Sequence, residues 1–284
     1  MSERDDAGLL RKASEWWSTS IIDIHPGKIA IRGYPIEQLI GNVRFPDMIW
    51  LMLRGDLPTR MQSELLEAAM VPGVDHGPHA PSIAISRMAV SCGLPVNGAM
   101  ASAVNVLDDV HGGAGQQCME MYLEIDAEAG AEGDLQRAAE AVLQRRREAG
   151  TKIVPGFGHR FHPIDPRTEP LFALVDRAVA AGAVSGRFAA IGRAVETVLR
   201  NMKSRPIPMN IDGITAVVFC ELGFAPELGR GLFVLARSVG ILAHAWEQKQ
   251  QGARIKGPMP KEIDYTYTGL APRDLPAKPD PSPR

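Results

Sequence analysis

The stretch Glu227–Gln250, ELGRGLFVLARSVGILAHAWEQKQ, predicts the longest helix of the chain. Its apolar residues recur in alternating steps of three and four and so share one helix face: Leu232, Leu235, Val239, Leu242 and Trp246. A second face carries Arg230, Arg237 and His244, which are seven residues apart. The pattern predicts a helix that packs through its apolar face. Its cationic face either lines a cleft or is solvated, and solvation is the commoner outcome for such a stripe.

Helical patterns dominate the chain upstream of this stretch as well. They are bounded by prolines, glycines and polar residues, and they cover Pro46–Leu53, Met61–Met70, Ile83–Ser91, Asn97–Val110 and Leu135–Glu148. The segment Ser20–Ile31 alternates loosely and turns at His25–Lys28, so it predicts a short β-hairpin. Strand content is too low for a doubly wound α/β fold, and G-x-G-x-x-G and G-x-x-x-x-G-K-[ST] motifs are absent. The sequence therefore predicts an all-α fold with one short N-terminal hairpin.

The composition is that of an ordinary globular protein. Hydrophobic residues make up 45% of the 284, charged residues make up 23%, and the net charge is −2. A chain of this length can bury a sizeable core without disulfides or a structural metal. The near-neutral charge argues against nucleic-acid binding, which usually requires a basic face. The proline-rich tail, residues 271–284, predicts disorder.

The cysteines and the N-terminus bear on where the protein works. Cys92, Cys118 and Cys220 are odd in number and widely spaced, which argues against a disulfide framework and against a CxxC zinc site. We expect them to be small buried residues in a reducing compartment. The first ten residues lack an apolar region, so no signal peptide is expected. Apolar stretches are too short to span a bilayer or are interrupted by charged residues, so we expect a cytoplasmic protein without a membrane span.

Four segments place ionisable groups in turns rich in glycine and proline between the predicted helices. They are Asp75–His79, His111–Gly115, Pro155–Arg160 and Asn210–Gly213. Glycine lets the backbone approach a ligand closely, and loops held by rigid helices often carry catalytic groups. These segments are therefore the candidates for a functional site.

Each segment also has a structural interpretation, which is the commoner one when the segment is taken singly. In that interpretation Asp75 and Asp212 cap helix N-termini, His76 is a satisfied surface residue, and His111-Gly112-Gly113 ends a helix. A metal site is disfavoured, because His76 and His79 lack a third ligand at a recognised spacing. We therefore expect no bound metal.

Taken together and in this order, the segments resemble the citrate synthase superfamily. Ile31–Leu39 (IRGYPIEQL) resembles the N-terminal RGYPIExL segment of that family. Three further matches are Val154–Arg160 and Asp165–Arg167 with the family's PGFGHR and DPR, Asn210–Asp212 with its NVD, and Ala236–His244 with its AR(T/S)xGxxAH. The resemblance runs from about residue 22 to residue 269. It implies a nearly all-α, two-domain fold that makes or breaks a carbon–carbon bond beside a coenzyme A thioester.

Within that superfamily the chain resembles citryl-CoA lyase, including the lyase module of ATP-citrate lyase. It is shorter than a citrate synthase, because a helical stretch that separates Leu57-Pro58 from Asp75-His76 in that enzyme is missing. Asp75–Pro78, Asn210–Gly213 and Glu247–Lys249 carry the same likeness. The ATP-using and phosphohistidine parts of ATP-citrate lyase are absent from this sequence, so no ATP chemistry is expected of it.

The resemblance implies three catalytic residues. The α-proton of a thioester is too weakly acidic for a lone carboxylate to remove, so the base needs a hydrogen-bond donor on the thioester oxygen. By resemblance, Asp212 is the base on carbon and His111 donates to the thioester carbonyl. His159 is the acid–base group at the hydroxyl or carbonyl of the four-carbon half. Each positioned acid–base group contributes a factor on the order of 10²–10⁴ in rate.

The same resemblance implies that the protein binds a polycarboxylate and an acyl-CoA and holds no cofactor permanently. His76, Arg167 and Arg237 match residues that hold carboxylates, for which a planar guanidinium is suited. Glu247 matches an acidic residue considered catalytic in the lyase module. Pairing of Glu247 with a cation across helices is an equally good interpretation.

The resemblance also implies where CoA binds. Its adenine would be wrapped by the backbone of Val154, Pro155, Gly156, Phe157 and Gly158. Lys152 and Arg160 are candidate partners for its phosphates.

Two departures from the family pattern affect the expected site. Citrate synthases carry an arginine before a proline near the C-terminal end, supplied across the dimer, where this chain has Lys256-Gly257-Pro258. Either Lys256 or Arg254 replaces it, or one substrate carboxylate is bound differently. The asparagine of the family's HGxAN segment is replaced by Gly115. The retention of His111 is synthase-like, since the lyase module lacks a histidine at this place.

The resemblance further implies the domains and the assembly. A large domain would combine residues 1–110 and 214–270, and a small domain, residues 111–213, would form the CoA-binding side of the cleft. His111 and Asp212 then lie at the domain boundary, where closure would exclude water. A homodimer is expected, in which the C-terminal segment reaches the partner's site.

Three functions fit these expectations. The first is cleavage of citryl-CoA, or of a related 3-hydroxy-3-carboxyacyl-CoA, to acetyl-CoA and oxaloacetate or a related 2-oxoacid. The second is condensation by a compact citrate or methylcitrate synthase, which would use the same site in the opposite direction. The third is a non-catalytic paralogue that binds acyl-CoA or regulates a partner. The presence of His111, His159 and Asp212 disfavours the third, because a binding module has no need of all three.

Overall fold

The computed structural model describes residues 3–131, 133–158, 163–202, 206–255 and 262–275. These residues form twelve α-helices and three short strands. The first six helices are α1 (Glu3–Trp16), α2 (Ile36–Leu39), α3 (Phe45–Arg54), α4 (Arg60–Met70), α5 (Pro81–Ser91) and α6 (Val96–Val104). The other six are α7 (Ala114–Ala129), α8 (Leu135–Glu148), α9 (Thr168–Ala180), α10 (Arg187–Met202), α11 (Ile211–Glu221) and α12 (Pro226–Gln251). The predicted, nearly all-α class is confirmed.

The predicted hairpin is present and belongs to a three-stranded antiparallel sheet. Strands β1 (Ile22–His25) and β2 (Lys28–Ile31) pair across Gly27, whose φ of +73° suits glycine in the turn. Strand β3 (Tyr34–Pro35) pairs with β2 on its other side. The third strand is only two residues long, which is too short to leave an alternating pattern in the sequence.

Local signals place several helix ends close to where the sequence predicts them. Helix α3 has a proline in its first turn and ends at Gly55, which adopts φ +90°. Helix α4 begins with a capping box between Thr59 and Gln62. Helix α8 is capped by Asp134, whose side chain accepts hydrogen bonds from the backbone N–H groups of Gln136 and Arg137.

The core consists of two clusters of buried apolar side chains. The larger draws on α3, α4 and the helices α7 to α12, with Leu66, Tyr122 and Ile214 among its fully buried members. The smaller lies between α5, α6 and α12 around Ile83 and Ile241. The division into residues 1–110 plus 214–270 and residues 111–213 stays a prediction.

Helix α12 packs with the opposite face from the one that the sequence predicts. Leu232 is buried, but the other four residues of the apolar stripe are between 45% and 59% exposed: Leu235, Val239, Leu242 and Trp246. The inward face carries small residues and the buried Arg237, which is 6% exposed. At Gly240 an added Cβ would lie 2.0 Å from the carbonyl oxygen of Val74, so only glycine allows this approach. The prediction that the apolar stripe forms the core face is wrong, because close packing and polar partners decide the orientation.

Helix α12 is also the one described helix whose length and composition would suit a membrane span. Its residues pack against α5, α6 and α7, as expected of the core helix of a folded domain. Cys118 and Cys220 are buried as expected, whereas Cys92 is exposed. Residues 271–275 of the proline-rich tail form no helix or strand, and residues 276–284 lie outside the described part of the chain.

Candidate active site

One cavity of about 250 Å³ lies where the loops before α5 and α7 meet the starts of α9 and α11 and the middle of α12. It is lined by five residues that the sequence singles out: His76, His111, Arg167, Asp212 and Arg237. The third predicted catalytic residue, His159, lies outside the described residues, as do Arg160 and Lys256. The cavity thus contains two of the three predicted catalytic residues and all three predicted carboxylate-binding residues.

The hydrogen bonds of His111 determine which of its nitrogens carries the proton. Its Nε2 lies 3.2 Å from the backbone nitrogen of Ser82 and 3.0 Å from the Ser82 hydroxyl. A backbone N–H can only donate, so Nε2 accepts and the proton resides on Nδ1. Burial lowers the pKa of His111, and the charges of Arg237 and His76 lower it further. At neutral pH His111 is therefore an uncharged N–H donor.

A tight turn before α7 presents His111 to the cavity. The backbone N–H of Asp108 donates to the His111 carbonyl at 2.9 Å, and Arg230 of α12 binds both Asp108 and Asp109. The turn packs so closely that a Cβ at Gly113 would lie 2.7 Å from the Asp109 backbone. Helix α6 ends at Val104, earlier than the predicted helical stretch to Val110, and the turn follows it.

Asp212 is the second residue of α11, and the cap of that helix is Asn210. The Asn210 Oδ1 accepts from the backbone N–H groups of Asp212 at 3.0 Å and of Gly213 at 3.3 Å. The capping interpretation of Asp212 is therefore wrong, and its side chain lines the cavity. The helix N-terminus favours a negative charge at this position.

The loop 154–158 is fastened directly to the start of α11. The Asn210 backbone N–H donates to the Gly156 carbonyl at 2.9 Å, and its Nδ2 donates to the Gly158 carbonyl at 2.6 Å. Gly156 has a φ of +81°, and a Cβ there would lie 2.6 Å from Sγ of Cys118 and 2.7 Å from Cα of Gly213. Asn210 thus links the loop that leads toward residue 159 with the helix that carries Asp212.

A buried carboxylate holds Arg167 at the edge of the cavity. Asp165 accepts two parallel hydrogen bonds of 2.8 Å from the Arg167 guanidinium and a third, of 2.9 Å, from the Ile211 backbone N–H. Burial alone would raise the pKa of Asp165, but the hydrogen bonds from Arg167 and Ile211 and the charge of Arg167 lower it to about 2. Asp165 therefore stays ionised and connects Arg167 to the start of α11.

Arg237 is the most buried cation of the cavity. Its Nε donates to the Gly73 carbonyl at 2.9 Å, and its guanidinium carbon lies 5.0 Å from the centre of the Phe233 ring. Burial lowers the pKa of Arg237, while the charges of Asp75 and Asp212 oppose that shift. A guanidinium stays protonated in proteins, so this is a fixed positive charge.

The two arginines outnumber the single carboxylate of Asp212 among the charged residues that line the cavity, which suits an anionic ligand. Glu247 is not among the lining residues. It pairs instead with Arg87 of α5 across the helix interface. Within the described part of the chain, no three His, Cys, Asp or Glu side chains lie close enough together to hold a metal ion.

A second cavity of about 470 Å³ lies between α7, α8, α10 and the residues before the 154–158 loop. Lys152, Val154 and Pro155 line it together with Arg146 and Arg147. Its floor is apolar and consists of Met121, Leu143, Leu199 and Met202. Gly156, Phe157 and Gly158 do not line this cavity, because they turn inward toward Asn210 and the core.

Sequence reasoning missed three residues that hold the site. Asp165 and Asn210 belong to the segments Asp165–Arg167 and Asn210–Asp212, but the motifs predict no role in holding the site for either. The place of Asn210 directly before α11 is a signal for an N-cap. Ser82 left no signal, because it acts on His111 through its backbone N–H as well as its hydroxyl. Any residue type other than proline supplies that backbone donor.

The fold is nearly all-α, and its cavity brings a neutral histidine and a carboxylate together with two arginines. The family described as "Citrate synthase, C-terminal domain" matches residues 8–70 and 61–258. The chain belongs to the citrate synthase family.

Its relatives include synthases and lyases. Citrate synthase of Deinococcus radiodurans is 29% identical over 221 residues, which cover 77% of this chain and 54% of that protein. ATP-citrate synthase subunit 1 of Sordaria macrospora is 28% identical over 270 residues, which cover 86% of this chain and 37% of that protein. The chain thus spans about half, or less, of the length of these relatives.

Solved structures show the same fold. Citryl-CoA lyase of Hydrogenobacter thermophilus superposes with a TM-score of 0.80 at 30% identity and covers 92% of this chain and 97% of that chain. ATP citrate lyase of Methanosaeta concilii, in complex with (3S)-citryl-CoA, has a TM-score of 0.73 at 20% identity and covers 89% of this chain and 42% of that chain. The second likeness concerns the fold alone.

Proposed function

We propose that the protein cleaves citryl-CoA, or a related 3-hydroxy-3-carboxyacyl-CoA, to acetyl-CoA and oxaloacetate or a related 2-oxoacid. The observation that carries this proposal is the neutral Nδ1–H donor of His111 in one cavity with the carboxylate of Asp212. The likeness in length and fold to a solved citryl-CoA lyase supports the direction of cleavage.

Cleavage requires a hydrogen-bond donor at the oxygen of the thioester enol and an acid–base group at its carbon. In cleavage, His159 takes the proton of the citryl hydroxyl, whose oxygen becomes the carbonyl of the 2-oxoacid as the carbon–carbon bond breaks. The electron pair of that bond passes to the thioester, and the Nδ1–H of His111 stabilises the enol oxygen. Asp212, which would take up a proton before this step, then passes it to carbon and yields acetyl-CoA, and His159 releases the proton that it took.

The cations of the cavity would hold the four-carbon acid. Arg167 and Arg237 present planar donors that suit carboxylates, and Asp165 keeps Arg167 oriented. His76 lines the same cavity and would contribute a further donor. Arg254 lines a different cleft of its own chain, so Arg254 or Lys256 would bind the remaining carboxylate in the site of a second subunit.

The second cavity would hold the nucleotide part of CoA. Lys152, Arg146 and Arg147 supply positive charge for its phosphates, and the apolar floor suits an adenine ring. The carbonyl groups of Gly156 and Gly158 already accept from Asn210. We therefore assign adenine contacts to Val154 and Pro155 rather than to the whole 154–158 loop.

Two expectations about the protein's state stay proposals. A homodimer is supported by the exposed apolar stripe of α12, which a second subunit would cover: Leu235, Val239, Leu242 and Trp246. A cytoplasmic location is supported by Cys92, Cys118 and Cys220, which are all free.

The second candidate function is condensation by a compact citrate or methylcitrate synthase. It is favoured by the citrate synthases among the relatives and by His111 itself. A non-catalytic acyl-CoA-binding role is disfavoured by the hydrogen bonds that fix His111 as a donor, since binding alone has no need of that tautomer.

One pair of incubations separates these functions. The purified protein is mixed with citryl-CoA and, separately, with acetyl-CoA and oxaloacetate, while free CoA and oxaloacetate are followed. Oxaloacetate released from citryl-CoA, without prompt hydrolysis to citrate and free CoA, is the result expected of the lyase. Free CoA from the second mixture would instead identify a synthase. If neither mixture yields product although the protein binds CoA, both enzymatic proposals are contradicted for these substrates.

A further inference from the structure

Three polar side chains, those of Arg87, His244 and Asp75, are in contact in this order, and Asp75 lies next to His76 in the chain. Arg87 of α5 is 7% exposed, and its Nη1 lies 3.1 Å from Nδ1 of His244 on α12. The other ring nitrogen of His244, Nε2, lies 3.3 Å from Oδ1 of Asp75. That carboxylate oxygen is buried and has no hydrogen-bond partner of good geometry among the described residues, so its contact with His244 is electrostatic. His244 thus bridges a buried cation and the residue that precedes His76.

The partners of His244 assign its proton. A guanidinium can only donate, so Nδ1 of His244 accepts from Arg87 and must be unprotonated. The ring proton then resides on Nε2, which lies 3.3 Å from Oδ1 of Asp75, close enough for electrostatic attraction. Arg87 is held in turn by Glu247 and by the Gln251 side-chain oxygen, the latter at 2.8 Å. The ring of His244 is therefore held by Arg87 on one side and lies against the Asp75 carboxylate on the other.

Asp75 transmits this arrangement to His76. Its Oδ2 accepts from the backbone N–H of Gly77 at 3.1 Å, which closes a turn with His76 as the central residue. The same loop is held to α12 at two other points, where Arg237 donates to the Gly73 carbonyl and Gly240 packs against Val74. The backbone turn at His76 thus depends on Asp75, whose Oδ2 closes the turn and whose Oδ1 lies beside His244.

We propose that His244 is a positioning residue, which orients His76 for the four-carbon acid through Asp75 and is itself oriented by Arg87. His244 is not among the residues that line the cavity, so it acts on the substrate only through His76. The inference rests on the proposed function, because it takes His76 as a ligand of that acid. It also gives a role to one member of the cationic stripe of α12 that the site itself does not use.

Two substitutions at this position separate positioning from packing. In His244→Gln the side-chain amide offers an N–H near the place of Nε2, so it can still donate to Asp75. In His244→Leu the volume is similar and the donor is lost. Gln251→Ala is the matched control, since it removes the outermost hydrogen bond to Arg87 without touching His244.

The measurements are the dissociation constants of citrate and oxaloacetate by calorimetry, and KM and kcat for the reaction that the protein catalyses. We expect His244→Leu to weaken binding of the acid and raise its KM by roughly 10- to 100-fold, with a smaller change in kcat. His244→Gln and Gln251→Ala should stay within about threefold of the wild type, well below the tenfold that 1.4 kcal/mol represents. If His244→Leu does not fold, Asp75→Asn replaces it, because one amide oxygen cannot serve both Gly77 and His244.

The outcomes are distinct. If the wild-type protein binds the acid and His244→Leu binds it with the same affinity, the positioning role is overturned and the proposed function is unaffected. Equal losses in His244→Leu and His244→Gln would also overturn it. A wild-type protein that binds neither acid would overturn the proposed function, and the inference with it.

Discussion

The substitution Asn210→Ala tests whether one side chain couples the two halves of the site. Asn210 caps α11 by accepting from the backbone N–H groups of Asp212 and Gly213, at 3.0 and 3.3 Å. It also donates to the Gly158 carbonyl at 2.6 Å. Loss of an N-cap costs about 1 kcal/mol, and loss of a hydrogen bond to a partly buried carbonyl costs about 1 kcal/mol more.

The expected loss of stability is therefore about 2 kcal/mol, or a decrease in Tm of roughly 3–4 °C for a chain of this size. Because both Asp212 and the segment leading to residue 159 lose their common anchor, we expect kcat to fall by roughly 10- to 100-fold. Thermal unfolding measures the first effect, and steady-state kinetics on whichever substrate the protein turns over measures the second.

Asp134→Ala is the matched control, because Asp134 caps α8 with the same pattern of two backbone donors. It should lose about 1 kcal/mol of stability and leave kcat unchanged. Asn210→Asp keeps the cap and loses the donor to Gly158, so its kcat should fall between those of the wild type and Asn210→Ala. If Asn210→Ala loses no more stability than Asp134→Ala and retains full kcat, the coupling is refuted.

Three further substitutions test the other supports of the site. Gly156→Ala should lower the free energy of unfolding by at least about 3 kcal/mol or prevent folding, because its Cβ would collide with Cys118 and Gly213. Gly27→Ala is the control, since its Cβ would have no atom of the described residues within 4 Å, and it should lose about 1 kcal/mol. Unfolding by denaturant measures both values. The lowered pKa of Asp165 contributes about 2 kcal/mol to the free energy of unfolding above pH 4, and this contribution is lost as the pH falls toward 2. In Asp165→Asn the free energy of unfolding should therefore depend less on pH between about pH 4 and pH 2. An unchanged dependence would refute this role of Asp165. Arg237→Lys loses the planar donor and should raise KM for the four-carbon acid about tenfold; an unchanged KM would exclude Arg237 as a ligand.

Much of the fold follows from patterns that the sequence displays openly. The capping box at Thr59, the glycine stop at Gly55 and the turn at Gly27 each act locally, so they are visible without tertiary information. The orientation of α12 is different. Five apolar residues predict its inward face, but Gly240 and Arg237 fit partners on the loop before α5, which is far away in the sequence.

The same distinction applies to the site. The order of the motifs predicts that His111 and Asp212 belong to the site, but it does not predict which contacts orient their side chains. The tautomer of His111 depends on a backbone N–H of Ser82. The placement of Arg167 depends on the Asp165 carboxylate, which binds the Arg167 guanidinium with both oxygens and the start of α11 with one of them. Such contacts join segments through space, and a single sequence carries no record of them.

Exchange of the methyl protons of acetyl-CoA with D₂O would show whether His111 and Asp212 together form the enol. Malate, which cannot accept the enol, occupies the acid subsite, and NMR or mass spectrometry follows the label. The exchange needs only His111 and Asp212, and it is the same for a lyase and a synthase. We predict exchange proportional to protein concentration, and a decrease on the order of 10²–10⁴ in Asp212→Asn with CoA binding retained. No exchange from a wild-type protein saturated with acetyl-CoA, or equal exchange from Asp212→Asn, would contradict the account.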